Sequence, residues 1–378
     1  MMAGIYLHIP FCKSKCPYCN FFSVASLKTE EVFLSALYHE IGIRKDYLGN
    51  QAISTIYFGG GSPSILNPVQ ISNILDKLLS VFKVEAGTEV SLEANPDDIT
   101  AENLDEWKKA GINRLSIGIQ SFEEADLKYL GRVHSGEQAE RSVRLALEKG
   151  FQNMSVDFIY GMPTLTDKAF ISNLEKAVSF GIPHISAYAL TVEPKTAMEV
   201  MIRKNSITGP DEEKTVFQFS LLMQYLGSVN YEHYEISNFS HPGLYSRHNS
   251  SYWNGEHYLG LGPSAHSFNG ISRQWNPAGI NKYAGLIHSG QPQFETEILS
   301  LQQKYNEYVM TSLRTKWGTS LEHIRNSFGE SNAAFFKDQA QKYILNSDLL
   351  ENEGVFILSD KGKLFADSIS SDLFLEND

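Results

Sequence analysis

Over the first half of the chain, short apolar runs alternate with longer stretches of amphipathic periodicity. The runs Gly4–Ile9, Ile53–Phe58, Glu89–Ala94, Arg114–Gln120, Met154–Tyr160 and Ile185–Thr191 are rich in Ile, Val, Tyr and Phe. Such runs suit strands buried on both faces of a parallel sheet. Helical patterns fill the intervals over Glu30–Tyr47 and Pro68–Phe82, and further helices are predicted to start near Thr100, Ser121, Ser135 and Thr166. Ser121 followed by Glu124 reads as a capping box, placing a helix directly after the fourth strand. Six β/α units of about 32 residues each match the unit size of a (β/α)8 barrel. The expectation is therefore an α/β fold with a partial (β/α)6 barrel over residues 1–204.

Residues 205–300 break the rhythm. One helix around Glu212–Leu226 precedes a region rich in Gly, His and aromatics, expected to close the barrel. From Leu301 the pattern reads helix, helix, then two short β-runs around Gly354–Leu358 with LSDKGKLFADSI after them. This resembles an α+β winged-helix module over 301–378; the plainer alternative is a helical cap on the barrel. The net charge of −12 argues against non-specific binding to nucleic acid or anionic lipid, so no DNA-binding role is drawn from that module. With 42% hydrophobic and 20% charged residues, disordered and collagen-like classes are excluded. No apolar stretch approaches the roughly 18 residues of a membrane span, and MMAGIYLHIPF lacks the regions of a signal peptide. A cytoplasmic protein is expected.

The chain has three cysteines, all within residues 12–19. An odd number at Cys-x3-Cys-x2-Cys spacing is no disulfide framework and points to a metal or iron–sulfur site. In a parallel barrel the βα loops converge at the C-terminal ends of the strands. There stand Cys12, Cys16 and Cys19 after strand one, Gly59-Gly60-Gly61-Ser62 after strand two, Glu93 on strand three, Gln120 ending strand four, Asp157 on strand five, and Tyr188 and Thr191 on strand six. One cofactor site could use them all. Three thiolates can hold a [4Fe–4S] cluster while leaving one iron free to chelate a small molecule. The alternative is zinc held by the three cysteines and His8. The glycine triplet lets backbone approach a ligand closely, or serves only a tight turn.

The segments YLHIPFCKSKCPYC, YFGGGSPS, SLEANPDD, SIGIQSF and VDFIYGMP together resemble the radical S-adenosylmethionine (SAM) superfamily. More narrowly, the chain resembles the coproporphyrinogen dehydrogenase-like branch and its haem-chaperone subgroup, through YEHYEISNF and the C-terminal module as well. The resemblance implies that Cys12, Cys16 and Cys19 ligate a [4Fe–4S] cluster whose fourth iron is chelated by SAM. It places Tyr6, His8 and Tyr18 beside the cluster and cofactor. It assigns Gly60, Gly61 and Ser62 to the methionyl end of SAM, and Glu93, Gln120, Arg132, Asp157 and Thr191 to polar contacts around it. Where Ser62 stands the branch often has Thr; the hydroxyl is retained.

Two departures separate the chain from the dehydrogenase itself. Phe21 occupies the place of a further cysteine, and the first strand is entered by residue 4, where that enzyme has a preceding segment. Arg247-His248-Asn249-Ser250-Ser251-Tyr252-Trp253 instead matches the HNxxYW haem motif of the chaperone subgroup. Haem needs an axial ligand, flat apolar walls and cations for its propionates; His248, then Tyr252 and Trp253, then Arg247 are the candidates. Five of eleven histidines (233, 241, 248, 257 and 266) lie within 231–266. They offer alternative or second haem ligands, the competing reading being that His257 or His266 is the ligand and His248 only packs; against it, His233, His241 and His257 suit loop packing, and His266 falls where the branch closes over SAM. The resemblance implies a carrier that passes haem to respiratory haemoproteins, membrane-bound ones included, from the cytoplasm or the inner face of the cell membrane, as a monomer or homodimer. The alternative it allows is an oxygen-independent porphyrinogen oxidative decarboxylase.

Overall fold

The structure is a computed structural model and describes residues 2–376. Its centre is six parallel strands, β1 (Met2–Ile9), β2 (Ala52–Gly60), β3 (Val84–Ala94), β4 (Arg114–Gln120), β5 (Met154–Tyr160) and β6 (His184–Ala189), paired in chain order. Between them run α1 (Glu30–Ile43), α2 (Pro68–Val81), α3 (Ala101–Ala110), α4 (Glu124–Tyr129), α5 (Gly136–Glu148) and α6 (Asp167–Ser179). Their apolar faces and the strands' outward side chains, among them Ile5, Phe33, Ile56, Leu78, Leu92, Trp107, Val156 and Leu174, make one continuous buried core. Thr100, Ser135 and Thr166 cap α3, α5 and α6 as expected. The Ser121/Glu124 capping box does not form. Ser121 is buried and its hydroxyl donates to Asp126, while Glu124 turns away and accepts from the Gly136 amide. Thr191 lies beyond the end of β6 and not on it.

Residues 205–300 do not close the barrel; they lengthen the sheet at both edges. After α7 (Ala197–Arg203) and α8 (Glu212–Ser228), β7 (Glu232–Glu235) and β8 (Asn238–Ser240) add antiparallel strands beyond β6. The chain then crosses through α9 (Arg247–Trp253) to β9 (His257–Leu261), which pairs parallel with β1. The strands β10 (His266–Phe268), β11 (Ser272–Trp275) and β12 (Glu295–Ile298) continue outward, with α10 (Ile280–Ile287) packed on α1. Closure would require β7 to meet β12, and the ordered sheet instead ends on each. The fully buried Glu40 of α1 accepts hydrogen bonds from Gly262 N (2.8 Å), Tyr283 Oη (2.7 Å) and Asn276 Nδ2 (2.8 Å), with the Arg44 guanidinium 3.6 Å away. A buried carboxylate so satisfied pins the β9–β10 turn to the core.

From α11 (Leu301–Leu313) onward a second apolar core forms. Strand β13 (Thr319–Ser320), α12 (Leu321–Phe328), α13 (Glu330–Leu345), the hairpin β14 (Leu349–Asn352) and β15 (Val355–Leu358), α14 (Asp360–Lys363) and α15 (Ala366–Asp372) follow, giving a three-stranded antiparallel sheet of order β13-β15-β14 packed with helices. This is the winged-helix-like arrangement expected of the C-terminal segment. Among the described residues no helix is long and apolar enough to cross a membrane.

Candidate cofactor site

The three cysteines ride on the loop after β1. That loop is closed at its base by Val24 N to Pro10 O (2.8 Å) and Cys12 N to Val24 O (3.1 Å), and turned tightly by Cys19 N to Cys16 O (3.2 Å). All three thiols are partly exposed and line a cavity of about 700 Å³ inside the half-barrel. The glycine triplet presses on the same loop, with Gly61 N to Ile9 O at 2.8 Å and Ser62 N to Phe11 O at 2.7 Å. A Cβ on Gly61 would lie 2.5 Å from the Phe11 carbonyl, and Gly60 has φ of +106°. Only glycine suits either position.

A polar chain leads from this loop to the cysteines. Asn95 Nδ2 donates to Ser62 Oγ (2.8 Å), Arg132 Nη2 donates to Asn95 Oδ1 (2.6 Å) and Gly118 O (2.9 Å), and Arg132 Nη1 lies 3.6 Å from Cys16 Sγ. Among the described residues the buried Nε of Arg132 has no partner. Gln120 also lines the cavity, with φ of +63°. A non-glycine residue held there costs free energy, a form of strain that collects at binding sites.

Two carboxyls face the cavity deeper in. Burial pushes Glu93 up to about 7, although the Tyr57 hydroxyl donates to it at 2.8 Å. Burial likewise pushes Asp157 up to about 6, against hydrogen bonds from Ser186 and Ser116 that hold it down. Both groups are therefore poised to ionise when a cation approaches.

Tyr6, Tyr18, Gly60, Gly61, Ser62, Glu93, Gln120, Arg132, Asp157 and Thr191 all line this one cavity. His8 does not. Its Nε2 bonds Phe22 O (2.8 Å) and its Nδ1 pairs with Tyr6 Oη (3.2 Å). His248 and Tyr252 also line the cavity, at the end where α9 lies against β1–β3. His248 N and Arg247 N donate to Glu89, and His248 is buried with both ring nitrogens engaged, Nδ1 to Thr55 Oγ1 (2.8 Å) and Nε2 to Tyr252 Oη (3.0 Å). Its ring stacks on Tyr57 at 5.0 Å, and burial pushes its pKa down to about 3. Trp253 lies outside the cavity under the Arg314 guanidinium, 5.5 Å from its ring centre, and Arg247 Nη1 donates to Gly87 O (2.9 Å). Several lining residues escaped the sequence reading, among them Arg114, Ser116, His184 and Ser186, for which the sequence offered no signal, and two for which it did. Asn95 and Tyr57 sit within the quoted SLEANPDD and YFGGGSPS segments or directly beside them, and proximity to Glu93 and the glycine triplet was the available signal.

The donor set fits an iron–sulfur cluster better than a single ion. Among the described residues no three His, Cys, Asp or Glu side chains converge closely enough for one metal ion, and His8 spends both nitrogens on protein partners. A cluster interposes its own irons and sulfides between spread ligands, and the unpartnered Arg132 Nε with its charge beside Cys16 suits an anionic centre.

A half-barrel of parallel strands with a Cys-x3-Cys-x2-Cys loop over its mouth defines a radical SAM protein. Residues 6–177 match the radical SAM superfamily model and residues 299–365 the HemN C-terminal domain. The fold is similar to a solved structure described as coproporphyrinogen III oxidase (HemN) from Escherichia coli, with TM-score 0.84 at 22% identity over 98% of this chain and 90% of that one. Heme chaperone HemW of Bacillus subtilis is 34% identical over 97% of this chain and 98% of its own. Heme chaperone HemW of Mycobacterium tuberculosis H37Rv is 33% identical over 97% and 93%. The chain belongs to the HemW family.

Proposed function

We propose that this protein is a haem chaperone that holds a [4Fe–4S] cluster and SAM and passes haem to respiratory haemoproteins. The observation that carries the reading is likeness to proteins named heme chaperone HemW over nearly the whole of both chains. In this reading Cys12, Cys16 and Cys19 hold the cluster, which supplies an electron and an open iron for SAM. Arg132 balances the thiolate charge beside Cys16. The backbone of Gly60–Ser62 offers close approach to the methionyl end, Gln120 and Thr191 offer polar contacts, and Glu93 and Asp157 gain charge as the cationic cofactor enters. Phe21, 62% exposed, presents an apolar ring at the cavity mouth where the dehydrogenase pattern has a thiol.

The test is an anaerobic assay of reconstituted protein with coproporphyrinogen III and SAM, run beside a haem titration. Stoichiometric haem binding with no porphyrinogen decarboxylation is expected. Protoporphyrinogen formed above a cluster-free control would overturn the reading in favour of an oxidative decarboxylase.

A further inference from the structure

We propose that the floor of the half-barrel is a carboxylate subsite, in which the Arg114 guanidinium and the His184 imidazole receive the acid group of a small organic molecule. The inference goes beyond the haem-chaperone reading and does not rest on it.

Strand geometry puts this subsite at the far end of the cavity from the cysteines. Every second side chain of a strand shares one face. Arg114, Ser116, Gly118 and Gln120 of β4 all line the cavity, as do Ser155, Asp157 and Ile159 of β5 and His184, Ser186 and Tyr188 of β6. Gln120 ends its strand beside the cysteine loop, whereas Arg114 and His184 open theirs. From Gln120 back to Arg114 the strand runs about 20 Å at the usual rise per residue. The residues assigned to the cluster and SAM stand at the C-terminal ends of the strands, with Asp157 midway, so the floor is left over.

Arg114 is a buried cation without a counter-charge in contact. Of the two arginines buried among the described residues, Arg44 has Glu40 at 3.6 Å, whereas Arg114 forms no ion pair. Its Nη1 donates to Asn153 Oδ1 at 2.5 Å. A guanidinium does not shed its proton, so burying one uncompensated is costly. Asp157 faces the same space, but its carboxylate accepts from Ser116 and Ser186.

His184 supplies a second donor. Asn249 Nδ2 donates to Tyr234 Oη (3.4 Å), and the hydroxyl's own proton goes to His184 Nε2 (2.8 Å). Burial and the Arg114 charge hold the ring neutral. Its one proton then sits on Nδ1, which is buried and, among the described residues, has no partner. A buried donor left without an acceptor is as unfavourable as the unpaired cation, and one anion answers both. The charge selects its class. Lys13 and Arg132, the other cations lining the cavity, stand at the mouth beside Asp97 and Cys16, so the floor offers a single positive charge. A planar fork and one neutral N–H match a singly charged, planar carboxylate better than a doubly charged phosphate.

Saturation-transfer NMR on the reconstituted protein tests this, with sodium propionate as probe and propionamide as its uncharged counterpart. Wild type, Arg114→Gln, Arg114→Lys and His184→Phe are compared, with circular dichroism to verify each fold. Wild type is expected to bind propionate at least about tenfold more tightly than propionamide, and Arg114→Gln to lose that preference. Arg114→Lys, which keeps the charge without the fork, and His184→Phe, which keeps a flat ring without the donor, should each weaken propionate binding about threefold to tenfold. Equal binding of the two probes by wild type, no binding of propionate, or a folded Arg114→Gln protein that keeps the preference would overturn the subsite. So would a folded His184→Phe protein with wild-type propionate affinity, even where no Arg114 variant folds. Haem takes no part in the measurement, so each of these outcomes leaves the chaperone reading standing.

Discussion

Asp157→Asn should stabilise the cofactor-free protein while weakening its hold on SAM. The carboxylate is open only to the cavity and is pushed up to about 6, chiefly by burial. A group whose folded pKa lies above its unfolded value contributes stability that is present below about pH 4 and lost as pH rises through about 6. Working the shift through linkage, ionised Asp157 costs about 3 kcal/mol at pH 7.5 and about half of that at pH 5. Asparagine has the same shape and can still accept from Ser116, which lies 3.2 Å from both carboxylate oxygens. The variant's thermal midpoint without SAM should therefore rise by about 3 to 5 °C at pH 7.5, with a smaller gain at pH 5. Calorimetry at the two pH values measures both. Titration with SAM should show weaker binding, because the neutral amide no longer answers a sulfonium. A midpoint unchanged or lowered at pH 7.5 in a folded variant would refute the reasoning and mean that Arg114 already neutralises Asp157.

Replacing any one of Cys12, Cys16 or Cys19 by Ala should abolish the cluster, read as loss of the roughly four iron and four sulfide expected per chain after anaerobic reconstitution. Gly61→Ala should drive a Cβ into the Phe11 carbonyl and remove the effect of SAM on the reduced cluster's EPR spectrum, whereas Gly42→Ala, with nothing within 4 Å, should leave it unchanged. SAM affinity measured by calorimetry should be flat above about pH 8 and fall as pH drops through about 7 and then 6, because Glu93 and then Asp157 take up protons and lose the charge that attracts a cation. Glu40→Ala should cost about 3 to 5 kcal/mol in chemical denaturation, since it strands Arg44 and three buried donors.

The parallel strands were legible because burial on both faces leaves near-continuous Ile, Val and Phe, and the cap residues Thr100, Ser135 and Thr166 act on neighbours only three positions away. Ser121 shows where local reading stops. Its spacing to Glu124 suits a cap, but burial beside Asn173, 52 positions away, redirects the hydroxyl. The edge strands of 205–300 are three to five residues long, too short for a periodicity to register. The cysteine triad and its facing polar residues were legible from their places at strand ends. That His248 has no free nitrogen was not, because Thr55 lies 193 positions away and only the fold brings them together.

The pairing of β9 with β1 has a bearing on synthesis. One edge of β1 finds β2 by residue 60, but its other partner begins at His257 and so leaves the ribosome only after all six units of the half-barrel. Until then the first strand presents Ala3–Leu7 with unsatisfied amides and carbonyls, a row of apolar residues suited to pairing with another nascent chain. Ribosome-bound fragments ending before residue 257 would carry that open edge, and chaperone dependence of the growing chain should end once Leu261 has emerged.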